Sequence, residues 1–186
     1  MPPSLAFVID ELEVGGSQRQ LYLLATGFAA RGWPVQVICL QPVLAMADDF
    51  QAAGVSVQLI SKQRMFDVAL LLTLRRFLCE KKIDIVHAFS STAEVFGGIA
   101  ARLCGCRFVA SIRNHSEQLP LLHRIAKRIV CRFAEAIVAN SQAGADAAVS
   151  VGIIPAKKTY VAPNGVTFAP LTVKKHTSRA QLGIPA

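Results

Sequence analysis

The feature that most constrains the fold is a regular alternation of short apolar segments with longer amphipathic ones. Seven segments have the length and composition of buried strands: 5–9, 35–40, 55–59, 85–88, 108–112, 136–139 and 160–162. Helical spacing of apolar residues separates most of them, over 17–30, 48–53, 66–80, 92–103, 121–133 and 142–151. Strands that alternate with helices predict an α/β fold, with a parallel sheet covered by helices on both faces and right-handed crossovers.

The first strand runs directly into Gly15 and Gly16, and a helix is predicted from Ser17. Paired glycines allow close approach of the backbone to a ligand, and a helix start presents free N–H groups and a positive dipole end. This junction favours an anion site for a phosphate. A tight turn with no ligand is the alternative for the glycine pair.

Ligands of open parallel sheets bind beyond the carboxyl ends of the strands, where the strand order reverses. The segments that follow predicted strands are therefore the candidates for a site. They are 10–16, 41–42, 87–91, 113–117 and 140–141.

The charge of the chain indicates anionic partners. It has 186 residues, a formal net charge of +8 and 53% hydrophobic residues. Phosphorylated substrates and anionic lipids suit this charge, whereas nucleic acid does not, because no basic tail or stacking platform of aromatic residues is present. No apolar run reaches the roughly 18–20 residues that span a bilayer, and no signal peptide is evident. We expect a cytoplasmic protein, with a peripheral position on the inner face of the membrane as the alternative.

The five cysteines do not have metal-binding spacing. Four of them lie in or directly beside predicted strands or helices, where a thiol behaves as a small apolar side chain. The sequence therefore predicts reduced thiols and no metal site.

The predicted helix at 121–133 interleaves apolar residues with four cations, Arg124, Lys127, Arg128 and Arg132. Basic amphipathic helices can lie on an anionic membrane surface. These four residues are the predicted membrane contacts. A helix that packs on the core and exposes its charges to solvent is the alternative.

Five motifs occur in the order and spacing of a known family. They are Gly-Gly-Ser-Gln-Arg at 15–19 with Arg-Gly-Trp-Pro-Val at 31–35, then 83–88, 108–113, 134–141 and Ala-Pro-Asn-Gly-Val at 162–166. Together they resemble the N-terminal domain of GT-B glycosyltransferases of the family 4 group. Trp33 stands where that family often has His, and Thr167 where it often has Asp.

The resemblance implies a Rossmann-like, acceptor-side domain over 1–169. Residues 170–186 would be a linker toward an absent C-terminal donor-binding domain. The implied activity of the full-length protein is retaining transfer of a sugar from a nucleotide-diphosphate sugar to a glycan or lipid-linked acceptor. The nucleotide sugar would be a co-substrate, with no cofactor and no catalytic metal. The fragment alone would be inactive.

The resemblance also implies site residues. Arg113 falls where relatives place a His near the transferred sugar, and His115 lies two positions further on; these are the candidate catalytic residues. The candidate contacts to donor phosphate or acceptor are Gly15, Gly16, Gln18, Arg19, His87, Asn114, Glu117, Asn140, Ser141, Asn164 and Gly165. For Ser141 a simple helix cap, for His87 a structural role and for Arg19 a solvated position are the alternatives.

Two other functional classes are compatible with an α/β domain. One is a stand-alone module that binds anions or membrane lipids without catalysis. The other is a domain for a dinucleotide or a methyl donor. The latter is disfavoured because no G-x-G-x-x-G follows the first strand and Gln41, rather than an acidic residue, ends the second.

Overall fold

The computed structural model describes residues 2–113 and 121–166. Within these residues it contains seven strands: β1 Leu5–Ile9, β2 Val35–Cys39, β3 Ser56–Leu59, β4 Ile85–Ala88, β5 Arg107–Ile112, β6 Ala136–Ala139 and β7 Thr159–Val161. The α-helices are α1 Gly16–Ala29, α2 Ala47–Ala52, α3 Val68–Glu80, α4 Ser91–Cys104, α5 Leu121–Phe133 and α6 Gln142–Ser150. A short 3₁₀ turn, Ala156–Lys158, precedes β7.

All seven strands are parallel, in the order β3-β2-β1-β4-β5-β6-β7. The predicted Rossmann-like α/β fold is therefore confirmed. The order reverses at β1, whose two neighbours are β2 and β4, so the ligand site of such a sheet is expected above β1 and β4.

The sheet is covered on both faces. All five residues of β1 are buried, as expected for a strand with helices above and below. Leu5, Phe7 and Ile9 pack in a cluster with α1 and α2. Ala6 and Val8 belong to the larger cluster, which includes residues of α3, α4 and α5.

Two glycines let α4 lie close to its neighbours. A Cβ on Gly98 would come within 2.5 Å of Val130 on α5 and 3.0 Å of the Phe108 ring. Gly97 faces Val8 of β1 in the same way, at an ordinary contact distance of 3.4 Å. Position 98 therefore sets how closely α4 approaches α5 and β5.

The prediction that all cysteines are reduced thiols is wrong. Cys79 near the end of α3 and Cys104 at the end of α4 form a disulfide, with 6.0 Å between their Cα atoms. The sequence spacing hid this pair, because the two cysteines are 25 residues apart and meet only through the packing of α3 on α4. Cys39, Cys106 and Cys131 are free.

The segment 162–166, called here the strap, runs back over the carboxyl edge of the sheet from β7 toward α1. Asn164 Oδ1 accepts a hydrogen bond from Arg113, which follows β5. Gly165 forms two hydrogen bonds with the Gln20 side chain of α1: its N–H donates to Oε1 at 2.8 Å, and its carbonyl accepts from Nε2 at 2.6 Å. The strap therefore connects opposite halves of the sheet.

Candidate functional site

A cavity of about 390 Å³ lies at the carboxyl edge, at the reversal of strand order; we call it the cleft. Its walls come from the end of β1, the start of α1, the β4–α4 junction, the end of β5 and one residue of α5. The lining includes Asp10, Glu11, Gly16, Ser17, Gln18, Phe89, Ser90, Ser91, Glu94, Ser111, Arg113 and Lys127. The position agrees with the rule for open α/β sheets.

The start of α1 presents backbone donors to the cleft. Gly15 is the N-cap, in extended conformation, and no side chain caps this helix end. The first turn contains no acidic residue that would compete for its N–H groups. A Cβ on Gly16 would meet nothing within 4 Å, so the space beside this residue is open to a ligand. This arrangement suits an anion.

Arg113, at the end of β5, provides a cation in the lining of the cleft. Its guanidinium lies over the ring of Phe89, 4.3 Å from the centroid, and donates to Asn164 at 3.0 Å. Its Nε is buried and has no hydrogen-bond partner among the described residues. Burial lowers the pKa of Arg113, although a guanidinium stays charged at any physiological pH. The contacts with Phe89 and Asn164 thus hold the side chain in place.

A buried ion pair that the sequence did not suggest forms the floor of the cleft. Lys127 Nζ lies 2.7 Å from a Glu94 carboxylate oxygen, with 5% and 1% of the two residues exposed. Ser111 links to both, because its N–H donates to Glu94 and its carbonyl accepts from Lys127. Burial raises the pKa of Glu94, and the Lys127 ammonium offsets part of that effect.

Lys127 is therefore not a membrane contact, and that prediction is wrong. The helical spacing contained the correct signal: Lys127, Val130, Cys131 and Ala134 stand at i, i+3, i+4 and i+7, and all four are buried. Sequence reasoning grouped Lys127 with its basic neighbours and missed that it shares the core-facing side of α5.

The sequence places Asp10 only at the end of the first strand, whereas the structure shows that it connects two elements of the site. Its Oδ1 accepts from the N–H of Ala93 in the first turn of α4, and its N–H donates to Ser90 Oγ. The end of β1 is thereby joined to the start of α4 at the base of the cleft.

His87 lies beside the cleft but does not line it. Its Nε2 shares a 2.9 Å hydrogen bond with Ser111 Oγ, and its ring packs against Phe7 and Phe89. Burial, together with the charge of Arg113, lowers the pKa of His87 to about 3, so the ring is neutral at physiological pH. This is the structural role named above as the alternative.

Each remaining predicted site residue lies in the cleft, elsewhere in the described structure, or outside the described residues. Gln18 lines the cleft, whereas Arg19 is exposed on α1 away from it. Ser141 caps α6, with its Oγ accepting from Gly144 at 3.1 Å, as predicted for a plain N-cap; neither it nor Asn140 lines the cleft. Asn114, His115 and Glu117 lie outside the described residues, as does the predicted linker 170–186.

The outer, solvent-exposed side of α5 carries apolar side chains as well as the expected charged ones. Leu122, Ile125 and Ile129 are each about half exposed, at 52%, 49% and 57%. Arg128 and Arg132 lie on the same side, because positions 125, 128, 129 and 132 follow helical spacing. Arg124 is partly buried. None of the described helices is long and apolar enough to cross a bilayer.

Solved structures of GT-B glycosyltransferases share this fold. HepE of Anabaena, solved in complex with UDP, superposes with a TM-score of 0.80 at 23% identity over 97% of this chain and 50% of that one. HepE has also been solved with UDP-glucose. A glycosyltransferase of Rickettsia africae superposes with a TM-score of 0.75 at 14% identity, over 100% of this chain and 51% of that one. Sucrose-phosphate synthase of Thermosynechococcus elongatus superposes with a TM-score of 0.70 at 13% identity, over 98% of this chain and 53% of that one.

The fold and the position of the cleft thus define the N-terminal half of a GT-B glycosyltransferase fold. The sequence profile of Glycosyltransferase Family 4 matches residues 14–169, and the chain belongs to that family. No curated protein sequence matched it. The chain spans about half the length of the solved structures it resembles.

Proposed function

We propose that this chain is the acceptor-side half of a retaining glycosyltransferase. The enzyme transfers a sugar from a nucleotide-diphosphate sugar to a glycan or lipid-linked acceptor. The single observation that carries this proposal is the cleft, which an uncapped helix start and a held guanidinium line together at the reversal of strand order. Membership of the family and the UDP and UDP-glucose bound to HepE support it.

The cleft residues would act mainly through charge. Negative charge develops on the leaving diphosphate, and fixed donors that face this charge lower the barrier. The free N–H groups at Gly16 and Ser17 are suited to the diphosphate or to a phosphorylated acceptor. Arg113, which lines the cleft and carries a fixed positive charge, is suited to an acidic group on the acceptor or to the transferred sugar.

Activity requires, on this proposal, the C-terminal donor-binding domain that the resemblance implies. The 186-residue chain alone would neither transfer sugar nor hydrolyse the donor. The reaction would need no bound metal ion, so activity should survive EDTA.

A test uses the full-length protein with UDP-glucose as probe, monitored by calorimetry and by donor hydrolysis. Replacing Gly16 with Val places a branched side chain in the open space at the start of α1, so binding should weaken about tenfold or more. Gly27→Ala, on the same helix but away from the cleft, should bind as the wild type does. A full-length protein that neither binds nor turns over a nucleotide sugar would overturn the proposal.

The retaining mechanism has a separate test. NMR of the first-formed product reports the configuration at the anomeric carbon. We expect the configuration of the donor to be kept, and inversion would refute this part of the proposal while leaving sugar transfer intact.

The outer side of α5 supports a peripheral position on an anionic membrane. Apolar side chains that stand beside arginines can enter the interface while the arginines bind lipid phosphates. In flotation with vesicles of phosphatidylglycerol and phosphatidylcholine, the double variant Arg128→Glu, Arg132→Glu should lose binding. Arg102→Glu, at an exposed arginine near the end of α4, is the control for reversing a surface charge away from α5.

The second candidate function is a stand-alone lipid- or anion-binding module, and the exposed apolar residues of α5 are the observation that favours it. Flotation of the chain, together with an absence of any nucleotide-sugar binding by the full-length protein, would select this candidate.

A further inference from the structure

A second cavity, of about 230 Å³, lies on the helical face of the sheet that carries α3, α4 and α5. We call it the groove. Val95, Phe96 and Ile99 of α4 line it together with Leu71 of α3 and Ala126 of α5. Its lining is mostly apolar, in contrast to the polar cleft.

The rim of the groove exposes large apolar side chains. Met65, Phe66 and Val68, at and just before the start of α3, are 64%, 74% and 67% exposed, and Leu122 of α5 contributes the opposite side. Three such residues within four positions of the chain form a continuous apolar lip, which is unusual unless the surface binds something.

The groove and the cleft adjoin each other across the first turns of α4. Ser91 and Glu94 face the cleft, whereas Thr92 and Val95 face the groove. On α5, Lys127 faces the cleft and its neighbour Ala126 faces the groove. The two spaces are therefore separated by about one helix diameter, on the order of 10 Å.

The charges around the groove are positive. Lys62 lines it, with its ammonium 5.8 Å from the Phe96 ring centroid, and Arg64 lies next to Met65. Asp67 is the one acidic residue that lines the groove among the described residues. Its carboxylate is already used, because it accepts from the N–H groups of Gln63, Arg64 and Leu70. The surroundings thus suit a ligand that is both apolar and anionic.

We propose that the groove binds the hydrocarbon chain of a lipid-linked acceptor whose phosphate lies near Lys62 and whose sugar enters the cleft. The proposal rests on the proposed transferase function and specifies its acceptor. A molecule with a polar head and one long chain fits the adjoining polar and apolar spaces, whereas a free glycan would leave the groove and its lip exposed to water.

The test uses the full-length protein and a geranylgeranyl monophosphate that carries a diazirine in its chain, below its micellar concentration. After irradiation, mass spectrometry locates the label. We expect it in the peptides that contain residues 62–71, 92–99 and 122–126.

Two variants and one control give the test its specificity. Phe66→Ser removes an exposed lip residue without touching the core, and Ala126→Trp fills the groove. Labelling should fall about tenfold in each. Leu103→Ser, at the far end of α4 and 52% exposed, should label as the wild type does. Equal labelling of all variants would overturn the proposal. Label on α5 alone, with none in residues 62–71 or 92–99, would also overturn it and would indicate contact with a bilayer.

Two parallel measurements separate the possible failures. Inorganic phosphate should compete only weakly, and full competition by phosphate would show that the chain of the lipid contributes nothing. Calorimetry with UDP-glucose tests the transferase function independently. If the protein binds UDP-glucose but is labelled nonspecifically, the proposed transferase function stands and the lipid site in the groove is refuted. If labelling is specific but no nucleotide sugar binds, the groove binds a lipid and the proposed transferase function is refuted.

Discussion

Lys127 of α5 and Glu94 of α4 are 2.7 Å apart beneath the cleft, and both are almost completely buried. The pair joins the two helices on which the cleft and the groove depend. It also supports Ser111 near the end of β5, two residues before Arg113. The same helix thus carries a buried cation on one side and exposed apolar residues on the other.

Removing one member of this ion pair should strongly destabilise the folded protein. Lys127→Met leaves the Glu94 carboxylate buried without its partner, and we expect a loss of about 3–5 kcal/mol in the free energy of unfolding. The double variant Glu94→Leu, Lys127→Met should recover much of this loss. Urea denaturation measures both. Arg76→Met, which breaks the exposed pair with Glu80, should change nothing measurable, and a similar loss at both sites would contradict the role of burial.

His87 should make the protein less stable as the pH falls. Its pKa is lowered to about 3 in the folded state, while the unfolded chain protonates it below about 6.5. The stability it provides is therefore complete above pH 6.5 and is lost progressively from there toward pH 3, at up to about 1.4 kcal/mol per pH unit. His87→Gln should flatten this part of the profile of unfolding free energy against pH. Parallel profiles of the two proteins would refute the assignment.

Gly98 should not tolerate a methyl group. The Cβ of Ala would lie 2.5 Å from Val130 and 3.0 Å from the Phe108 ring, so we expect Gly98→Ala to cost about 1–3 kcal/mol. Gly27→Ala, in the interior of α1, meets only the flexible end of Arg31 and should stabilise by up to about 1 kcal/mol. Thermal unfolding compares the two. Equal effects would mean that α4 can move away from α5 without penalty.

The disulfide predicts a thiol count. Alkylation of the denatured protein without reductant should modify three cysteines, and five after reduction, because Cys79 and Cys104 are paired. Peptide mapping should recover the linked segments of α3 and α4. Five reactive thiols in protein purified without reductant would contradict the pairing.

Local patterns in the sequence were sufficient to predict the strands and helices and the α/β architecture. The apolar run before Gly15 and Gly16 predicted β1 and the start of α1, and Ser141 marked the start of α6. These features depend on neighbours within a few residues, as capping and periodicity do. The predicted bounds of the strands and helices differ from the observed ones by two residues at most.

Contacts between segments that are distant in the sequence could not be predicted from these local patterns. Glu94 meets Lys127, and Cys79 meets Cys104, only after α3, α4 and α5 pack side by side. The apolar residues of α5 fall into two stripes, whereas the sequence predicted a single apolar side of an amphipathic helix. Leu122, Ile125 and Ile129 instead face outward, because Val130, Cys131 and Ala134 already fill the contact with α4 and the sheet.

The strap has a consequence for how the domain can move. Its contacts to Gln20 and Arg113 are exposed hydrogen bonds, each worth about 1 kcal/mol, and they involve no buried apolar side chain. Releasing them would therefore cost only a few kcal/mol and would leave the sheet unchanged. Residues 162–166 can therefore detach from Gln20 and Arg113 without any part of the core unfolding.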